Sequence, residues 1–207
     1  HEVILSAGAV ATAQLLMLSG VGPRGALEAL GIPVVADLPV GEGFHDHPNL
    51  ALGWRPARAV VEAGPRVAFP TALNFDSSAG AEAHPDGDLE ILLTAQPDEA
   101  LFGTAPGTPA GVAIDAATGA APAPITEASE LRLIVALQQP LSRGRLSLRS
   151  RDPLDPPRIE YRYLEHPDDR ARLRIGVRTA AAVLRSRAFD GLFGRFVSLD
   201  DRTLGDD

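Results

Sequence analysis

Apolar positions in this chain follow two periods, and glycine and proline punctuate them. Val3-Ile4-Leu5 is a short apolar run that stops at Ser6-Ala7-Gly8, and an apolar stretch follows from Ala9 to Leu18. The pattern predicts a buried strand, a small-residue turn and then a helix with Thr12 near its first turn. Leu15, Leu16, Met17 and Leu18 would give that helix a broad apolar face, and Ser19-Gly20 would end it. A strand feeding a helix through a glycine turn is half of a βαβ unit, and the helix N-terminus of such a unit offers N–H groups to anions such as phosphates. Pro23 to Leu30 reads as a short helix with Ala26, Leu27 and Leu30 on its apolar side. Ile32 to Val35 reads as a short strand, and Asp37 to Pro48 as a loop rich in glycine and proline.

The middle of the chain is dominated by alanine, glycine and proline. Within it, Phe69 to Phe75 and Asp88 to Ala95 show the alternation of strands, with Leu89, Ile91 and Leu93 on one side of the second. Prolines recur at Pro97, Pro106, Pro109, Pro122 and Pro124, so residues 97–127 read as one long loop. Leu131 to Leu137 is a strongly apolar strand. After the turn Ser142-Arg143-Gly144, the alternation of Leu146 and Leu148 predicts an antiparallel hairpin with it. Ile159 to Leu164 is a further strand. Pro167-Asp168-Asp169 opens a helix whose acidic first turn suits the dipole. Leu173, Val177, Ala180, Ala181 and Leu184 form its buried stripe, and the arginines from Arg170 to Arg178 its solvated face.

Composition narrows the chemistry. A net charge of −8 over 207 residues argues against a nucleic-acid or anionic-membrane surface. Every basic residue is arginine, which removes Schiff-base and P-loop lysine chemistry. Cysteine is absent, so disulfides, thiolate nucleophiles and cysteine metal sites are excluded; this suits a reducing, cytoplasmic setting. No apolar run approaches the roughly 20 residues of a membrane span. The chain opens His1-Glu2 and enters its first apolar run without a signal-peptide pattern. The opening residue is not methionine, which suits an internal piece of a longer protein.

His45-Asp46-His47 is the one constellation of ligating residues. In an extended segment His45 and His47 point the same way and could share a metal, with Asp88 or His84 as a distant third ligand. Nothing in the sequence selects that third ligand, so no metal residue is assigned. His166 lies beside Pro167 and reads as a surface residue, and His84 lies in a loop.

The wording of the first forty-eight residues adds to this reading. Val3 to Ala9, Thr12, and Gln14-Leu15-Leu16-Met17-Leu18-Ser19-Gly20-Val21-Gly22-Pro23 closely resemble the second signature of the glucose–methanol–choline (GMC) flavoprotein oxidoreductases. Leu30 to Val35, Asp37 to Gly41 and Asp46-His47-Pro48 continue the resemblance. In the second half, Pro140 to Gly144, Asp152-Pro153, Pro156 to Ile159, Tyr163-Leu164 and Pro167-Asp168-Asp169 follow in the same order. Ala13, the loop Leu38 to Gly41, and Gly43-Phe44 before Asp46-His47 depart from the common pattern and mark a divergent branch.

The resemblance implies a fold that is α/β plus α+β. Residues 1–50 would be the central segment of a Rossmann-like FAD-binding domain, and residues 51–207 an antiparallel-sheet substrate domain with flanking helices. It implies FAD as cofactor, with Ser6, Ala7 and Gly8 giving backbone contacts, Thr12 supporting the helix terminus, and Asp46 and His47 beside the flavin region. It also implies removal of hydride from the CH–OH group of a small-molecule alcohol, in an oxidase or a dehydrogenase. The family's Gly-x-Gly-x-x-Gly loop has no counterpart here, and its catalytic histidine is expected beyond Asp207, the last residue of this sequence. The chain is therefore expected to carry no catalytic residue of its own and to need N- and C-terminal segments of the same enzyme. The alternatives are a non-catalytic fragment or subunit, and a small metal-binding β-rich protein built on His45 and His47.

Overall fold

A computed structural model describes residues 2–60, 69–78, 87–95, 125–197 and 199–205. The chain divides into two compact units, the first made of residues 1–46 and 140–169, the second of residues 47–139 and 170–207. Among the described residues, no helix is long and apolar enough to cross a membrane.

The first unit is built on α1 (Gly8–Leu18). Its buried side is narrower than the run of leucines predicts. Met17 is buried, Val10 and Ala13 pack with it, and Leu15 stays 40% exposed. Consecutive helical residues are turned by about 100° from one another, so only positions three or four apart can share a face. Gly20, with φ +85, ends the helix and lies against the Pro33 carbonyl. β1 (Val21–Gly22) then pairs in parallel with β2 (Ala36–Asp37) across α2 (Arg24–Ala29). Asp37 Oδ1 accepts the Arg24 N–H at 3.0 Å, serving a helix whose own N-cap, Pro23, has no side-chain acceptor. Leu27 is buried on α2 and Leu30 half-buried, while Ala26 is exposed.

Two predicted strands of this unit do not form. Val3 and Ile4 are 84% and 82% exposed, and residues 3–5 are unpaired among the described residues. An apolar run becomes a strand only beside a neighbour that takes its N–H and C=O groups. Ile32 to Val35 is also irregular; Ile32 is buried, but ladder pairing begins at Ala36. Conversely, the predicted loop Asp37 to Pro48 contains β3 (Glu42–Phe44).

The expected hairpin between residues 131–137 and 145–149 is not found. β8 (Gly144–Ser147) instead pairs antiparallel with β3 on one side and with β9 (Arg158–Glu160) on the other. Gly144 allows this: a Cβ there would run into the backbone carbonyls of Glu160 and Tyr161. β9 stops early because Arg162 and Leu164 take φ of 50° and 59°, left-handed values that no strand continues through. Met17, Leu27, Ile32 and Leu146 form the buried cluster of the unit.

The second unit holds a five-stranded antiparallel sheet in the order β10 (Phe193–Phe196), β4 (Asn49–Pro56), β7 (Leu131–Leu137), β6 (Leu89–Leu93), β5 (Thr71–Phe75). β7 matches its prediction, and β5 and β6 fall inside theirs. Ile125, at the end of the predicted 97–127 loop, is buried and bridges Val60; residues 97–124, like His84, lie outside the described residues. α3 (Pro167–Leu184) opens with three residues of the first unit and runs on in the second. Leu173, Ala180, Ala181 and Leu184 are buried on it, and Val177 half-buried. Gly176 lets the helix approach the sheet, since a Cβ there would come within 2.5 Å of Val135 Cγ1. Arg172 is not part of a solvated face: its side chain is 14% exposed and paired with the buried Asp88. α4 (Asp201–Gly205) closes the described chain. Asp207, beyond which the family's catalytic histidine is expected, lies outside the described residues.

Candidate cofactor site and substrate face

In the first unit the turn before α1 brings Ser6, Ala7, Gly8 and Thr12 together. The Ala7 N–H donates to Thr12 Oγ1 at 3.1 Å, so the threonine reaches back along its helix to fix the turn. Gly8 has φ +83, and a Cβ placed on it meets no atom within 4 Å, leaving the turn open to a close ligand. Ala7, at the N-cap, supplies no side-chain acceptor, and the first turn carries no acidic residue. The leading N–H groups of a helix have no intrahelical partner, and together they carry the positive end of its dipole. An uncapped, uncompensated and open terminus of this kind fits a phosphate-bearing cofactor. Ala7's own N–H is already engaged, which leaves Gly8 and the first helical turn as the available donors.

Asp46 and His47 are both exposed, Asp46 closing the first segment of unit one and His47 opening unit two. Within the first unit Asp46 lies near an aromatic group that sequence reading did not single out. Phe44 meets Tyr161 edge-on at 5.3 Å, and Tyr161 meets Tyr163 at 4.8 Å. Burial raises the Tyr163 phenol pKa, and the Asp46 and Tyr161 charges push it the same way. Nearby, Glu160 accepts from Arg162 and also faces Arg158 and Arg145, at 3.1, 2.9 and 3.6 Å. The Arg162 hydrogen bond, with the surrounding arginine charges, outweighs burial and keeps this carboxyl below its ordinary pKa.

His45 and His166 are engaged separately. His45 Nδ1 lies 3.3 Å from the Gly43 carbonyl, and His166 Nδ1 accepts the Asp168 N–H at 3.2 Å. Among the described residues no group of three or more His, Asp or Glu is placed to hold a metal ion. Asp88, the distant ligand considered above, is committed elsewhere. It accepts Ser77 Oγ–H at 2.6 Å, Ser77 N–H at 2.7 Å and Arg172 Nη1 at 3.2 Å. In the same unit Gln138 Nε2 donates to Glu90 Oε2 at 2.7 Å on the sheet face away from Leu89 and Ile91.

Residues 1–49 match the N-terminal part of the GMC oxidoreductase family, and residues 140–204 match its C-terminal part. This chain belongs to the GMC oxidoreductase family. Its relatives include a GMC-type oxidoreductase of Aspergillus aculeatus, 33% identical over 202 residues that cover 90% of this chain and 38% of that protein. An oxygen-dependent choline dehydrogenase of Pseudomonas fluorescens is 32% identical over 209 residues, covering 95% of this chain and 35% of that one. The chain thus spans little more than a third of the length of these relatives. Among solved structures, a formate oxidase of Aspergillus oryzae superposes with a TM-score of 0.74 at 21% identity, over 100% of this chain and 41% of that one. Members of the GMC family are enzymes that carry out oxidoreduction with FAD as cofactor. The mixed helices and antiparallel sheets described above agree with that fold.

Proposed function

We propose that the protein acts as a FAD-dependent oxidoreductase on the CH–OH group of a small alcohol, giving an aldehyde or ketone. The observation that carries this reading is the open, uncapped terminus of α1 at Gly8, inside the segment that matches the family. The choline dehydrogenase among its relatives supports CH–OH chemistry. FAD, when bound, supplies a ring able to accept hydride. This chain's residues bind and orient: Gly8 and the first turn of α1 donate to phosphate oxygens, and Ser6 and Ala7 border the turn. Thr12 holds the Ala7 amide, and Asp46 and His47 shape the adjoining segment. Residues 1–50 would form the central piece of a Rossmann-like FAD-binding domain, with substrate held against the sheet of residues 51–207.

Coverage of little more than a third of its relatives supports a further part of this reading. The chain works with other segments of a longer flavoenzyme, and alone it turns over no alcohol. The catalytic base is assigned to a segment beyond Asp207 rather than to His45, His47 or His166. The test is a flavin titration of the chain together with those segments, followed by absorption and by alcohol-dependent reduction of a dye. Flavin bound and bleached by an alcohol is the expected result. A protein that takes up no flavin would overturn the reading, and dye reduction by the chain alone would overturn its second part.

A further inference from the structure

The small sheet of the first unit has one covered face and one open face. Leu146 lies in the buried cluster and Ile159 packs against it. By strand alternation Arg145 and Ser147 of β8, with Arg158 and Glu160 of β9, take the other side. Glu42 of β3 lies across the ladder from Arg145, and Arg145 across from Glu160. Arg162 follows β9, where its left-handed backbone turns the chain and its guanidinium reaches back to Glu160. Three guanidinium groups thus meet one carboxylate. Arg158 Nε is 2.9 Å from Oε1, while Arg162 Nη2 and Arg145 Nη2 are 3.1 and 3.6 Å from Oε2. The group is layered. The Glu160 side chain is 18% exposed, whereas those of Arg145, Arg162 and Arg158 are 42%, 44% and 64% exposed. Solvent therefore meets mainly the guanidinium groups, with the carboxylate that anchors them beneath. Arg145 Nε is buried and has no hydrogen-bond partner among the described residues.

We propose that this face binds a dianionic phosphate group, as free phosphate or on a small phosphomonoester, through Arg145, Arg158 and Arg162. Exposed ion pairs contribute little to stability, so three arginines on one carboxylate exceed what holding β8 to β9 requires. A guanidinium carries several N–H donors in one plane and matches phosphate oxygens two at a time. Glu160 occupies only part of that capacity on each arginine. It also lowers the cost of binding, because it already orders three long side chains. The charge balance has the right sign: the three arginines exceed Glu160 by the amount a dianion neutralises. The exposed Arg149, two residues past Ser147, adds to the excess. Opposing it are Glu42, which forms no ion pair with Arg145 among the described residues, and Asp46 at the margin beyond Phe44. In a chain of net charge −8 the positive excess is local to this face. None of these groups belongs to the turn at Gly8, and the inference does not rest on the alcohol-oxidising reading.

The test follows the arginine Nε–H signals of the isotope-labelled chain by NMR. Inorganic phosphate, glycerol 3-phosphate and acetate are titrated separately at constant ionic strength, so that screening is the same for all three. Both phosphates are expected to shift Arg145, Arg158 and Arg162 together, with acetate binding about tenfold more weakly. Arg158→Gln should weaken phosphate about tenfold. Glu42→Gln, an exposed change that removes an opposing charge, should strengthen it about threefold. Ala9→Asp, at the start of α1, should leave it unchanged. Tighter binding of glycerol 3-phosphate assigns the site to a phosphomonoester, and tighter binding of inorganic phosphate to the free ion; either supports the proposal. Acetate that matches the phosphates, or a phosphate affinity that neither Arg158→Gln nor Glu42→Gln changes, would overturn it. Loss of phosphate binding in Ala9→Asp would overturn it too, by moving the ion to the α1 terminus.

Discussion

Arg172 Nη1 lies 3.2 Å from Asp88 Oδ2, and the carboxylate it meets is completely buried. Strand-edge carboxylate and helix guanidinium are 84 residues apart, and Ser77 completes the site from a third segment. Breaking one side of such a pair leaves an uncompensated buried charge, which costs about 3–5 kcal/mol. Arg172→Met should therefore lower the free energy of unfolding by about that amount. The double variant Asp88→Leu with Arg172→Met should recover part of it, because no orphan charge remains. Denaturant unfolding followed by the fluorescence of Trp54, the only tryptophan, measures both.

The same carboxylate predicts an acid response. Burial alone would raise the Asp88 pKa, but the Ser77 hydroxyl, the Ser77 N–H and Arg172 together outweigh it and hold the value below the ordinary 3.8. A group whose folded pKa is lowered contributes stability above its unfolded pKa and loses it as pH falls through the folded value. The melting temperature of the chain should thus fall more steeply below about pH 4 than that of Asp88→Asn. Parallel curves for the two proteins would refute the assignment.

Gly144 should tolerate no side chain. The atoms a Cβ would meet are backbone carbonyls of Glu160 and Tyr161, which cannot retreat without parting β8 from β9. Gly144→Ala should cost about 2 kcal/mol or more. Gly25→Ala is the control: it lies on α2 with open space around it, and should gain about 0.5–1 kcal/mol from helix propensity. Melting temperatures of the two variants should move in opposite directions.

At the start of α1, stability and cofactor binding should respond with opposite signs. Ala9→Asp places a negative charge in a first turn that has none. The dipole should reward it with about 0.3–1 kcal/mol of stability. The same charge competes with phosphate for the helix terminus, so FAD affinity of the flavin-loaded protein should drop about tenfold. A variant that gains stability and keeps full affinity would place the cofactor elsewhere.

Some of this was legible in the residues and some was not, for identifiable reasons. β7 was readable because Leu131, Leu133, Val135 and Leu137 are buried, and α3 because its stripe recurs at helical spacing. β4 was missed although Leu52, Trp54 and Pro56 mark alternate buried positions, because Gly53 and Pro56 look like turn residues out of context. Val3 to Leu5 shows the converse: hydrophobicity makes a strand possible, but only a partner makes one. The pairing of β8 was hidden because neither β3 nor β9 lies where a hairpin would put a partner. At the candidate site, the glycine turn could be anticipated from the apolar pattern, and the supporting role of Thr12 only from the family resemblance. The contact of Phe44 with Tyr161 could not, since it joins two residues 117 positions apart.

That distant pairing governs how the protein comes into being. During synthesis β3 leaves the ribosome about 100 residues ahead of Gly144, its partner in the ladder. At translation speeds this is a wait of roughly 5 to 20 seconds. Throughout it, Met17, Leu27 and Ile32 lack Leu146, the fourth member of their buried cluster. A segment made about 100 residues ahead of its ladder partner is therefore among the last to close. Chaperones and proteases meet it as an open half while the intervening sheet is still being made.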